Sequence, residues 1–319
     1  MAGIRYRPMT YRPIEFTEYY APDGTKFRFD NHYRFFMSGE GYGMPGLDYI
    51  SQKAPLQHGE TIYDYRLQPR IIQLSMRENA CNRQGYWDSR ANLLNILRPN
   101  RQYLNQFELG VLRKILPNGN KRDIKAIIQE GPAFPAGDGG RWDAHAITET
   151  LRFICPDPTF YDPTLDEVYY MTTSDAHFVL PFEFDGGDIV FADRAEIISV
   201  NVSYTGTWIS YPVITIVGPI NAIVITNEST GEVISMAAYN ILDGEEVTID
   251  LSFGYKTVTS SINGNILGYV SPGSDLATFG IVPDPTVPGG VNVISVTGSG
   301  TTPGITNLIV RYYTRYIGI

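Results

Sequence analysis

The residue run with the most specific chemical meaning is Gly41-Tyr42-Gly43-Met44-Pro45-Gly46, which satisfies G-x-G-x-x-G. A dinucleotide site needs that run between a strand and a helix N-terminus, where backbone amides hold the pyrophosphate. Here Pro45 interrupts it, Pro55 follows, and no helical period appears, so the run reads as a loop. Neither a G-x-x-x-x-G-K-[ST] triphosphate loop nor a G-x-S-x-G nucleophile elbow is present. The four histidines, His32, His58, His145 and His177, stand too far apart for a helical zinc pair. Asp185 and Asp188 flank Gly186-Gly187, and Glu245 and Glu246 follow Gly244. Paired carboxylates can hydrolyse glycosides or hold calcium, but beside glycine both pairs read as turn residues. Cys81 and Cys155 form no CxxC pair and read as small buried thiols. Tyr204, Trp208 and Tyr211 form an aromatic group at a strand end, candidates to face a ligand such as a sugar ring or simply to seal a sheet edge. No cofactor, metal or catalytic set is expected, and the chain is not expected to be an enzyme.

The elements that carry these residues are mostly strands. Among 319 residues, 43% are hydrophobic and only 18% charged, with 22 Tyr and 31 Gly. Such a mix suits packed cores with many turns and polar-aromatic contact surfaces. The length predicts two domains. Residues 1–165 carry 21 Lys+Arg against 18 Asp+Glu, a net of +3; residues 166–319 carry 4 against 16, a net of −12. This step places a boundary near 165, giving an N-terminal domain over 1–165, with an extended arm over 1–45, and a C-terminal domain over 166–319. The acidic half argues against nucleic acid as partner, since phosphate binding needs clustered cations. The basic-aromatic stretch Arg5 to Arg12 is better suited to packing on a neighbouring subunit. No apolar run approaches the roughly 20 residues needed to span a bilayer, so no membrane insertion is expected. The N-terminus shows no apolar segment of signal-peptide length, which points to synthesis in a cytoplasm.

Along the chain, Tyr6-Arg7-Pro8 and Tyr11-Arg12-Pro13 predict an extended arm, and Gly39 to Gly46 a flexible connector. Ile72, Leu74 and Met76 alternate with Gln73, Ser75 and Arg77, the period of a half-buried strand. Asp88 is placed to cap the one convincing helix, whose Ala91, Leu94 and Leu97 recur on one face before Pro99. Strands follow at 107–112, 124–129 and 149–155, with Asn118-Gly119 as a hairpin turn. Pro156, Pro158 and Pro163 predict a stiff linker. Beyond it, Ile198, Val200, Val202 and Tyr204 alternate with polar residues, as do Val247, Ile249 and Leu251. Val213 to Val217 and Ile220 to Ile225 are apolar runs, and Leu308 to Tyr316 is a terminal strand. The fold class is therefore mainly β: an N-terminal β-barrel or sheet domain with one α-helix, then a C-terminal antiparallel β-sandwich.

Several runs, taken in order, resemble the siphophage distal tail protein family. They are Gly46-Leu47-Asp48, Gln57-His58-Gly59, Arg70-Ile71-Ile72-Gln73-Leu74 and Arg90-Ala91-Asn92-Leu93-Leu94. Leu151 to Pro158 with Phe160-Tyr161 is similar to that family's domain junction. Tyr211 to Pro219, Gly244 to Asp250 and Pro288 to Ile294 are similar to its C-terminal sandwich, which is of the galectin or carbohydrate-module kind. The resemblance implies a structural adaptor of the virion tail tip or baseplate. In such an adaptor the N-terminal domains close into a homohexameric ring. The ring joins the major tail tube protein to tip, hub or fibre proteins, with a receptor- or saccharide-binding tail module as the alternative. A closed ring needs heterologous contacts, and an extended segment such as Gly39 to Glu60 can wrap a neighbour and add to its sheet edge. Within and beside it, Tyr42, Leu47, Tyr49, Ile50 and Leu56 are the candidate subunit-interface residues.

Overall fold

The computed structural model describes residues 15–29, 34–79, 83–98, 109–133, 146–171, 196–285 and 291–319. The chain divides into two compact units, one of Met1–Pro163 with Tyr316–Ile319, the other Thr164–Arg315. The boundary near 165 drawn from charge had assigned the last four residues to the second unit.

In the first unit, β1 (Phe16–Tyr20) pairs antiparallel with β2 (Lys26–Arg28) and β7 (Gly110–Ile115), and β7 pairs with β8 (Lys121–Glu130). The second half of β8 pairs with β9 (Ala146–Cys155), β9 with β6 (Arg70–Asn79), and β6 with β3 (Arg34–Glu40). β1 corrects the arm: Thr17, Glu18 and Tyr19 are buried in a sheet, because two neighbours satisfy its backbone. The stretch Arg5 to Arg12 lies outside the described residues. Asn118-Gly119 does turn the chain from β7 to β8, with Gly119 at φ +86° and its amide bonded to the Leu116 carbonyl at 2.8 Å.

The inward residues of these strands form one core: Tyr19, Phe27, Phe29, Ile72, Leu74, Met76, Leu112, Ile124, Leu151, Phe153 and Phe160. The period read in β6 holds, with Ile72, Leu74 and Met76 fully buried. The helix α1 (Arg83–Leu97) begins earlier than expected, so Asp88 sits inside it, accepting a bond from Gln84 Nε2 at 2.8 Å instead of capping. Its core face is Tyr86, Leu93, Ile96 and Leu97, while Ala91 and Leu94 point to solvent. The proline stretch is not a linker either. Pro158 and Thr159 are buried, and Phe160 opens β10 (Phe160–Met171) with its ring in the core.

On the opposite face of the first sheet, charges alternate across four strands. Arg28, Glu18, Arg113 and Asp123 are direct cross-strand partners in sequence. Arg113 grips Asp123 with two bonds of 2.7 Å, and Lys26 meets Glu18 at 2.7 Å. Opposite charges facing each other stabilise this register and penalise a slip of one residue.

The second unit is a β-sandwich. One sheet contains β12 (Val213–Val217) between β15 (Glu246–Asp250) and β19 (Asn307–Tyr316), then β16 (Thr257–Ser260) and β17 (Gly264–Asn265) beyond β15. The other runs β11 (Glu196–Val202), β18 (Asn292–Ser299), β13 (Asn221–Asn227), β14 (Glu232–Met236). Ile198, Val200, Ile225, Ile234, Ile294 and Val296 from the second sheet meet Ile214, Ile216, Val247, Ile249, Leu308 and Val310 from the first. The alternating residues expected to face inward are buried here, and the mainly-β fold class stands. Among the described residues, β4 (Leu47–Gln52) and β5 (Thr61–Leu67) pair only with each other.

Candidate functional site

The β4–β5 hairpin stands apart from every core. Leu47 pairs with Leu67, Tyr49 with Tyr65 and Ile50 with Asp64, and a bulge follows before Ser51 meets Ile62. Only Leu47, Leu67 and Gln57 are even half-buried between residues 47 and 67. Tyr49 is 56% exposed, Ile62 60%, Tyr63 65% and Leu56 fully exposed. A lone two-stranded hairpin is marginally stable in water, and an apolar surface on both of its faces is unusual for a monomer. Local bonds hold it together instead of packing: Ser51 Oγ donates to Glu60 Oε2 at 2.6 Å, and Gln57 Nε2 to Thr61 Oγ1 at 2.9 Å. At the tip, Leu56 adopts φ +67°, a left-handed conformation that costs a non-glycine residue energy.

The hairpin's base is clamped by Arg70, at the start of β6. This guanidinium is 2% exposed and has four backbone carbonyl partners. Nε donates to Pro158 O at 2.7 Å, Nη1 to Gly41 O at 2.6 Å and also to Gly43 O, and Nη2 to Ile317 O at 2.5 Å. Its plane lies 4.7 Å from the Phe160 ring centre. The Ile319 amide bonds Tyr42 O at 3.0 Å, and the Gln68 amide bonds Gly46 O at 2.8 Å. At Gly41 (φ +91°) a Cβ would collide with the Ile71 carbonyl oxygen. Gly39 to Gly46, expected to flex, is thus pinned at both sides, because an arginine from a neighbouring strand satisfies its carbonyls. Burial lowers the Arg70 pKa, yet a guanidinium remains charged at any ordinary pH.

The structure separates the candidate interface residues. Tyr49, Ile50 and Leu56 lie exposed on the hairpin and Leu47 is half-buried at its root. Tyr42 instead packs on its own unit's core, stacked on Phe160 at 6.3 Å with the Lys114 ammonium 5.3 Å from its ring centre. Burial pushes its phenol up to about 12. Sequence reasoning missed Ile62, Tyr63 and Tyr65 on the second hairpin strand. Their β-branched and aromatic types were a usable signal, but the alternation there is broken by the bulge.

The aromatic group in the sandwich is not an open platform. Tyr204 is buried, and its hydroxyl donates to Trp208 O and accepts from the Arg315 amide at 2.9 Å. Its ring meets Tyr312 edge-on at 5.9 Å. Trp208 is half-buried and bridged to Arg315, and half-buried Tyr211 carries the Lys256 ammonium 4.4 Å over its ring. Tyr204 is thereby corrected from ligand-facing to structural, since a ring buried in the sandwich has no face for a sugar.

Glu245, expected as a turn residue, is fully buried. It accepts from the hydroxyls of Tyr239 and Ser260 and from the Leu242 amide at 2.9 Å. Burial raises its pKa, but these three donors outweigh that and leave it lowered. Fully buried, with both oxygens engaged by structural donors, it does not face solvent or a substrate. Asp185, Asp188, His32, His145, His177 and Cys81 lie outside the described residues. His58 is exposed at the hairpin, and Cys155 is buried, its thiol pushed up to about 12 by desolvation. Among the described residues no three His, Cys, Asp or Glu gather as a metal site, and no helix is long and apolar enough to cross a membrane.

No family profile matches the sequence, and no curated protein matches it. Solved structures do match. The Dit protein of phage SPP1, described as a paradigm of the hub adsorption apparatus in phages infecting Gram-positive bacteria, aligns at TM-score 0.58 and 15% identity, covering 95% of this chain and 99% of that one. Chains of the phage P2 baseplate in its activated conformation, with Ca and with Sr, align at TM-scores 0.46 and 0.45 with 8% and 7% identity, covering 93% of this chain and 98% of theirs. The SPP1 likeness establishes that this chain has the Dit fold over nearly its whole length, in agreement with the distal tail resemblance in the sequence.

Proposed function

We propose that this chain is a structural subunit of a phage tail tip or baseplate, of the distal tail kind, that works by assembling with copies of itself. The observation that carries this reading is the exposed hairpin. Its Tyr49, Ile50, Leu56, Ile62 and Tyr63 are exposed, while a buried arginine fixes its base. A surface that is costly in water and held rigid is pre-organised for binding. The Dit fold supports the same reading.

In this reading the first unit closes into a homohexameric ring, each hairpin seated on the next copy. The ring joins the major tail tube protein on one side to tip, hub or fibre proteins on the other, within the virion. The chain is synthesised in the host cytoplasm and has no catalytic role. A saccharide-binding reading of the sandwich draws no support from Tyr204, whose ring is buried, or from Tyr211, which carries the Lys256 ammonium over its ring.

Light scattering on the purified full chain tests the proposal. The expected mass is six times that of one chain, and Ile62→Ser with Tyr63→Ser should shift it toward the monomer. A monodisperse monomer at every concentration up to the millimolar range would overturn it.

A further inference from the structure

The helix α1 carries a second exposed apolar surface on the same unit. Trp87, Ala91, Leu94 and Arg98 lie at i, i+4, i+7 and i+11, one stripe of a helix. Trp87 is 45% exposed and Leu94 49%. The stripe lies beside the core face of Leu93 and Leu97, so burying it needs a partner. It is also held in place. The Arg90 guanidinium sits 4.5 Å from the Trp87 ring centre and 5.6 Å from that of Tyr86, and the two rings meet edge-on at 6.4 Å. A tryptophan fixed at the surface beside an arginine has the composition of a binding hot spot.

We infer that this stripe is the seat for the β4–β5 hairpin of a second copy of the chain. The inference rests on the self-assembly reading and deepens it by naming the receiving surface. Three observations select that occupant. The lengths match: Trp87 to Arg98 extends about 16 Å along the helix axis, and hairpin strands of six and seven residues extend about 20 Å. The charges are complementary. The stretch 83–98 carries Arg83, Arg90 and Arg98 against Asp88, with Asp23 close to Arg98, and so stays net positive, whereas the hairpin carries Asp48, Glu60 and Asp64 against Lys53 and Arg66. The two surfaces are different patches of one unit, so joining them is heterologous and leaves each copy with a free hairpin and a free helix until a ring closes. Hairpin on hairpin would join like charge to like and stop at a pair.

Two experiments on the full chain test this. Trp87→Glu with Leu94→Glu changes exposed positions, so circular dichroism and thermal melting should stay as in the parent, while the assembly constant weakens about 100-fold or more. In a Cys81→Ser background, Tyr63→Cys and Leu94→Cys chains are co-expressed and treated with a short bis-maleimide. Buried Cys155 is silent in this assay. A cross-linked dimer in the co-expressed sample and in neither variant alone supports the inference. Equal cross-linking in either variant alone, or an oligomer that keeps parental affinity in the glutamate variant, overturns it and leaves self-assembly standing. A parent chain that never oligomerises overturns both.

Discussion

Replacing Arg70 with methionine probes the clamp at the hairpin's base. Methionine keeps most of the side-chain length and can lie on Phe160, but it removes the donors to the carbonyls of Pro158, Gly41, Gly43 and Ile317. A hydrogen bond involving a charged group contributes about 1.5–3 kcal/mol net. The four do not add, since freed carbonyls at the rim regain water, and the buried charge had its own desolvation cost. The Pro158 carbonyl, under a buried proline, has the least access to water. A net loss of about 3–4 kcal/mol follows. With a urea slope of about 2–3 kcal/mol/M, the unfolding midpoint of the first unit should fall by about 1–2 M. Hydrogen exchange adds a local readout. The Ile319 and Gln68 amides, bonded to Tyr42 and Gly46, should lose protection, while those of β12 and β15 should not. Arg70→Lys should give an intermediate loss, because an ammonium retains the charge but cannot span the same fork of acceptors. An unchanged midpoint together with unchanged protection at Ile319 would refute the claim that this side chain holds the segment.

Asp123→Asn leaves Arg113 without its two-pronged acceptor on a crowded sheet face and should destabilise the first unit by about 2–3 kcal/mol, read as a lower melting temperature. The lowered pKa of Glu245 means that its contribution is complete above the ordinary carboxylate range and is lost as pH falls through its folded value. Glu245→Gln should therefore flatten the acid limb of stability against pH, and an identical limb in both proteins would show that the buried carboxylate has no such role. Cys155 should resist a thiol reagent at pH 8 in the folded Cys81→Ser chain and react on unfolding, and rapid labelling of folded protein would contradict its burial.

Much of the sandwich was legible in the sequence because its signal is local. Val247, Ile249 and Leu251 alternate with polar neighbours, and all three are buried. The prolines at 156–163 misled because the rule for proline concerns the free chain. Here Pro163 lies inside β10 and Pro158 is buried, its carbonyl accepting a hydrogen bond from Arg70 Nε. The helix was placed within a few residues, but its buried face was misassigned. Leu93 and Leu94 are adjacent, identical in type and both compatible with an apolar repeat. Which of them is inside depends on how α1 rolls against the core of the first unit.

By itself, the sequence determined the strand-rich character, the turn at Gly119 and the inward residues of the sandwich. These depend on side-chain period and backbone preference, which act over a few residues. Only the tertiary structure decided that Arg70 reaches from Gly41 to Ile317, that Glu245 is sealed beneath Tyr239 and Ser260, and that Trp87 and Leu94 are left uncovered. Burial and long-range hydrogen bonding are properties of which surfaces meet, and partners up to 247 positions apart leave no mark on local spacing.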